Sequence, residues 1–184
     1  MAHLGHLVDE LEREWLITVG RPILGGSGSY VAEAVTDAGA EVVLKLSIPD
    51  GLDGHTAWAE ELVTVRLGAG HGYVRVLRAD ADRRAMLQER LGRPLSELAL
   101  PVETQIEILA RTLRKGWYRP ADVATLPTGR EQADDVARDI LARWTRLDGP
   151  CPRPTVDRAL EFARTRAAAF DPERAVFILS LIHI

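Results

Sequence analysis

The alternation of apolar and polar positions opens on a helix. Leu4, Leu7, Val8, Leu11 and Trp15 recur at three- and four-residue spacing, which sets them on one stripe of an amphipathic helix. Over 15–22 the pattern reads as a strand. Residues 30–36 and 41–48 read as two more, enriched in β-branched side chains. Gly25-Gly26-Ser27-Gly28-Ser29 and Asp37-Ala38-Gly39-Ala40 are turn sequences, so the three strands are expected as an antiparallel meander. A loop over 49–54 then leads to a helix over 55–67, with Trp58, Leu62 and Val65 on one face. Strands are expected over 73–78 and 85–91 around a charged turn at 80–84, and Gly92-Arg93-Pro94 breaks the β region.

Beyond that break the period is helical. Ile106, Leu109, Ala110 and Leu113 mark one side of a helix over 101–115. A proline-bearing loop over 117–130 follows. Val136, Ile140, Leu141 and Trp144 define a helix over 131–147, and a third is expected over 155–170 with Thr155 as its cap. Residues 174–178 read as the start of an apolar strand. A β-rich front with one inserted helix, followed by a helical back, predicts an α+β fold of two lobes divided near 91–94.

The 184 residues suffice for one domain or two small lobes. A net charge of -4 gives no basic footprint for nucleic acid. No apolar run approaches the ~20 residues that span a bilayer. The first residues lack a signal-peptide core, so the expected compartment is the cytoplasm. Cys151 is the only cysteine, which rules out an internal disulfide and a cysteine-based metal site. Of 23 basic residues, only Lys45 and Lys115 are lysine. Arginine is a planar fork and lysine a compact point charge. A lysine inside the apolar run Val42-Val43-Leu44-Lys45-Leu46 therefore departs from the chain's own habit.

Four stretches carry candidate chemistry. The first is the glycine turn, either a plain hairpin or a loop whose backbone N–H groups approach phosphate. It lacks the Gly-Lys-Ser/Thr of a P-loop, and a strand follows it where a dinucleotide fingerprint needs a helix. The second is Lys45, either an edge lysine that snorkels out or a strand lysine that grips α- and β-phosphates. The third is the pair Glu60 and Glu61 on the next helix. One of them should meet Lys45, with Glu60 preferred for its spacing to Gly68 and Glu61 as the alternative. The fourth is Met86-Leu87-Gln88-Glu89-Arg90, an ordinary strand or a connector whose backbone meets an adenine edge.

In this order the parts resemble the aminoglycoside/hydroxyurea antibiotic resistance kinases, the group that includes streptomycin 6-phosphotransferases. The most specific stretch is 66–91, RLGAGHGYVRVLRADADRRAMLQERL, with the segment 109–120, which contains LRKGWYRP, also similar. The resemblance implies a protein-kinase-like two-lobe fold and transfer of a phosphoryl group from ATP, with Mg²⁺, to an alcohol group of a small-molecule antibiotic. Carried onto matching positions, the implied nucleotide-binding residues are Gly26, Ser27, Gly28, Lys45 and Glu60, with backbone from Gln88, Glu89 and Arg90. The implied division is a nucleotide lobe over 1–91 and an incomplete helical lobe over 92–178.

The family's catalytic loop carries His-Gly-Asp, then an asparagine and a metal-binding aspartate. None of His3, His6, His55, His71 or His183 precedes Gly-Asp. No catalytic or metal-ligating residue is therefore assigned, and the magnesium ligands are expected in a part that this chain lacks. The closing Leu-Ser-Leu-Ile-His-Ile is also what CTG TCT CTT ATA CAC ATC encodes, which looks like a transposon-derived sequencing adapter. Residues 179–184 are expected to be foreign to the protein, and the chain is expected to be an inactive fragment. The alternative expectation is a non-catalytic nucleotide- or drug-binding pseudokinase.

Overall fold

A computed structural model of the chain describes residues 2–24, 28–48, 54–117 and 126–176. Within these residues the expected meander forms. Helix α1, Ala2–Trp15, precedes strands β1, Ile17–Pro22; β2, Ser29–Thr36; and β3, Glu41–Ser47. Helix α2, Gly54–Gly68, and strands β4, Val76–Asp80, and β5, Ala85–Glu89, complete an antiparallel five-stranded sheet in the order β1-β2-β3-β5-β4. The fold is α+β.

Trp15 closes α1 and does not open β1. Leu16, with φ of 56°, reverses the chain between the two. The reversal turns the stripe of α1 onto one face of the sheet. Leu11 and Trp15 are buried there with Ile17, Ala34, Val42, Leu44, Leu46, Ala85 and Leu87. Side chains alternate along a strand, so Val42, Leu44 and Leu46 meet α1 while Val43 and Lys45 face the other way. Arg83, in the β4–β5 turn, forms ion pairs with Asp80 and with Glu10 and Glu14 of α1. Arg78 Nη1 donates to the Trp15 carbonyl at 3.2 Å.

β4 begins three residues later than the expected strand over 73–78. Gly70 and Gly72 both adopt positive φ, and the intervening backbone makes a tight turn. Tyr73 is left in an isolated bridge with Ala69. Its ring lies against Gly68 at the end of α2 and against Gly116 at the end of helix α3, Val102–Gly116. A Cβ on Gly116 would stand 2.9 Å from Tyr73 Cε2, and one on Gly72 would stand 2.8 Å from the Thr112 carbonyl. These close approaches dock α3 on the sheet-bearing unit. The described residues accordingly fall into two compact units, 2–117 and 126–176, with α3 in the first.

The second unit pairs helices α4, Gly129–Arg146, and α5, Arg153–Ala168. α4 starts before the expected 131 because Thr128 caps it. The Thr128 hydroxyl accepts from the Glu131 N–H, and the Glu131 carboxylate accepts from the Thr128 N–H, a reciprocal capping box. α5 starts at Arg153 after Pro152, with Pro154 in its first turn, so Thr155 lies inside the helix and makes no cap. Val156, Leu160, Ala163 and Ala167 form the buried stripe of α5. Residues 174–176 follow a turn closed by Asp171 and enter no strand, while the rest of the expected strand lies outside the described residues. No helix among the described residues is long and apolar enough to cross a membrane.

Candidate functional site

Lys45 lies on the sheet face that α1 does not cover. Its strand β3 is central, paired with β2 through Val31 opposite Lys45 and with β5 through Met86 opposite Lys45. A charge at such a position needs a partner, because desolvation without one is costly. The partner is Glu61 of α2. Lys45 Nζ and Glu61 Oε1 form a hydrogen-bonded ion pair in which both side chains are about three-quarters removed from solvent.

The preference for Glu60 is corrected. Glu60 is exposed. The helix repeat explains the outcome: Glu61 follows the buried Trp58 by three residues and precedes the buried Val65 by four, so it shares their inward face. Glu60 is rotated away from that face by about 100°. Trp58 Nε1 and Arg84 Nη1 are buried without a hydrogen-bond partner.

At the end of β2 nearest the glycine turn, Ser29 stands opposite Ser47, and the Ile48 N–H donates to the Gly28 carbonyl at 3.0 Å. Gly26 and Ser27 lie outside the described residues. Among the described residues, a Cβ built on Gly28 meets nothing within 4 Å.

The connector residues are committed in different ways. Gln88 is opposed on both sides, by Val43 of β3 and Val76 of β4, so its backbone belongs to the ladder. The Glu89 N–H donates to the Arg75 carbonyl at 3.0 Å. The Glu89 carboxylate accepts from the Arg75 N–H at 2.8 Å and from Arg75 Nε at 2.9 Å. These bonds, the backbone one first, hold the Glu89 carboxyl below the usual carboxylate range. The Arg90 guanidinium turns back over the sheet, with Nη2 3.0 Å from Glu33 Oε1. Beyond Gly28, the predicted positions therefore gather as one ion pair, Lys45–Glu61, and one strand end, 88–90, on the same β3–β5 pair.

Glu33 and its second partner, Arg21, were missed by sequence reasoning. The available signal was a charge between two apolar residues, Ala32 and Ala34, within a strand. Among the described residues no group of three or more His, Cys, Asp or Glu side chains gathers as metal ligands, and magnesium is given no ligand here. No family model matches the chain, and no curated protein matches it.

Proposed function

We propose that the Lys45 face of the sheet binds the phosphates of ATP, as the nucleotide-binding part of a phosphotransferase. Its acceptor would be an alcohol group of a small antibiotic of the aminoglycoside or hydroxyurea type, handled in the cytoplasm. The observation that carries the reading is the Lys45–Glu61 pair between a central strand and the helix that follows it. An ammonium has three donors. Glu61 engages it and fixes its position, which leaves N–H groups for phosphate oxygens. Gly28 adds support, since among the described residues nothing fills the space beside it and a ligand could approach the backbone there.

Titration calorimetry with ATP and with ADP, in the presence of magnesium, tests the reading. Lys45→Ala and Glu61→Gln should each weaken binding about tenfold or more, the scale of a lost charge-assisted contact. Glu60→Gln should leave it unchanged. Equal affinities in all four proteins would refute the nucleotide site. Phosphoryl transfer to streptomycin by this chain is expected to be undetectable, because its sequence contains no His-Gly-Asp to supply the base. The second reading is a non-catalytic nucleotide- or drug-binding protein. Binding without turnover in a longer chain that does carry the loop would select that second reading.

A further inference from the structure

Glu33 crosses the face on which Lys45 lies. In the sheet, Glu33 of β2 is opposed by Val43 of β3, and Val43 by Gln88 of β5. Opposed residues share a face. Glu33, Val43 and Gln88 therefore form a row beside the row Val31, Lys45 and Met86. The Arg90 side chain reaches Glu33 from the end of β5, although β3 lies between β2 and β5. The bridge spans the sheet over the row of Val43.

The other carboxylate oxygen is used from the opposite side. Arg21 Nε lies 2.9 Å from Glu33 Oε2. Arg21 belongs to β1, the strand before the glycine turn; Glu33 belongs to β2, the strand after it; and Arg90 belongs to the connector. One carboxylate thus joins both arms of the glycine hairpin to the connector. The Arg21 hydrogen bond is the main reason that the Glu33 carboxyl is held below its usual range, and Arg90 adds to it, so the carboxylate is charged at neutral pH. Arg21 is 83% exposed, and exposed pairs add little to stability. The sheet's own ladders and its α1-covered core hold the strands together without this bridge.

We infer that Glu33 is a positioning residue: it tethers the glycine hairpin to the connector and so fixes the spacing between the phosphate end and the base end of the Lys45 face. The inference rests on the nucleotide reading above. Its test combines two readouts on the full chain, ADP affinity by calorimetry and amide hydrogen exchange over 17–36 and 85–91, for wild type, Glu33→Gln, Arg90→Ala and the double variant. Glu33→Gln should weaken ADP about five- to tenfold, with faster exchange in both segments and little change in thermal midpoint. The double variant should lose no more than Glu33→Gln alone, because that change already disturbs the contact that Arg90 makes. Unchanged ADP affinity in Glu33→Gln, or unchanged exchange, overturns the tether. A wild-type chain that binds no ADP overturns the nucleotide reading instead. Faster exchange in Glu33→Gln would then still support the tether as a link between hairpin and connector.

Discussion

At the scale of the residue, the decisive feature is a lysine that keeps company with leucines. Leu44 and Leu46 fill the α1-covered core, while Lys45 between them must find its partner on the other face. Removing the ammonium leaves the Glu61 carboxylate half-buried and alone. Lys45→Met is expected to lower unfolding free energy by about 1–2 kcal/mol, between the values for exposed and buried pairs, measured by urea denaturation. Leu44→Ala, at a fully buried site, should cost about 2–5 kcal/mol in the same assay. Gly28→Ala separates binding from folding. With open space around its Cβ position among the described residues, it should leave the thermal midpoint unchanged while weakening the proposed ATP binding. A fall in stability comparable to the loss of affinity would count against a ligand-serving glycine.

At the scale of the element, two junctions are set by short-range chemistry. Thr128 and Glu131 close the start of α4, and Thr128→Ala should cost about 1 kcal/mol in the unit that α4 and α5 form. Glu131 is held below the usual carboxylate range, chiefly by the Thr128 N–H. A carboxyl with a depressed folded value stabilises above its unfolded value, ~4.3, and loses that contribution as the pH falls through the folded one. The destabilisation caused by Glu131→Ala should therefore shrink in melts recorded below about pH 4. At the other junction, Tyr73 bridges the ends of α2 and α3. Gly116→Ala would drive a methyl group into its ring and should loosen α3, read as faster amide exchange over 102–116. Replacing Tyr73 by alanine in the same chain should relieve the clash.

At the scale of the whole molecule, the sheet-bearing unit presents an apolar stripe along α3. Val102, Ile106, Leu109, Leu113 and Trp117 recur at helical spacing and are all exposed. Contiguous apolar surface of this kind drives association in water. Ile106→Lys with Leu109→Glu should raise the soluble, monomeric fraction in light scattering without moving the thermal midpoint. An unchanged fraction would place the cause of any association elsewhere.

The amphipathic stripe of α1, the alternation along β3 and the glycine-punctuated turns were legible in the sequence because they are local periodicities, set by geometry within a few residues. The lysine stood out because it broke the chain's own preference for arginine. The Thr128–Glu131 box at the start of α4 is equally local, a threonine three residues before a glutamate, whereas α5 begins at Arg153 after Pro152 and takes no cap from Thr155. Other features depended on how elements meet. Glu61 rather than Glu60 faces Lys45 because the roll of α2 on the sheet decides which of two adjacent carboxylates points inward. Tyr73 left the expected strand because two glycines at positive φ let its ring settle against α3. Glu33 meets Arg21 across the local β1–β2 pair, but it meets Arg90 only because β5 takes the place beside β3. The sequence by itself determined most of the helices and the sheet's central strands, because their periodicity is local; the register and the roll, fixed by burial at long range, decided strand ends and which charges meet.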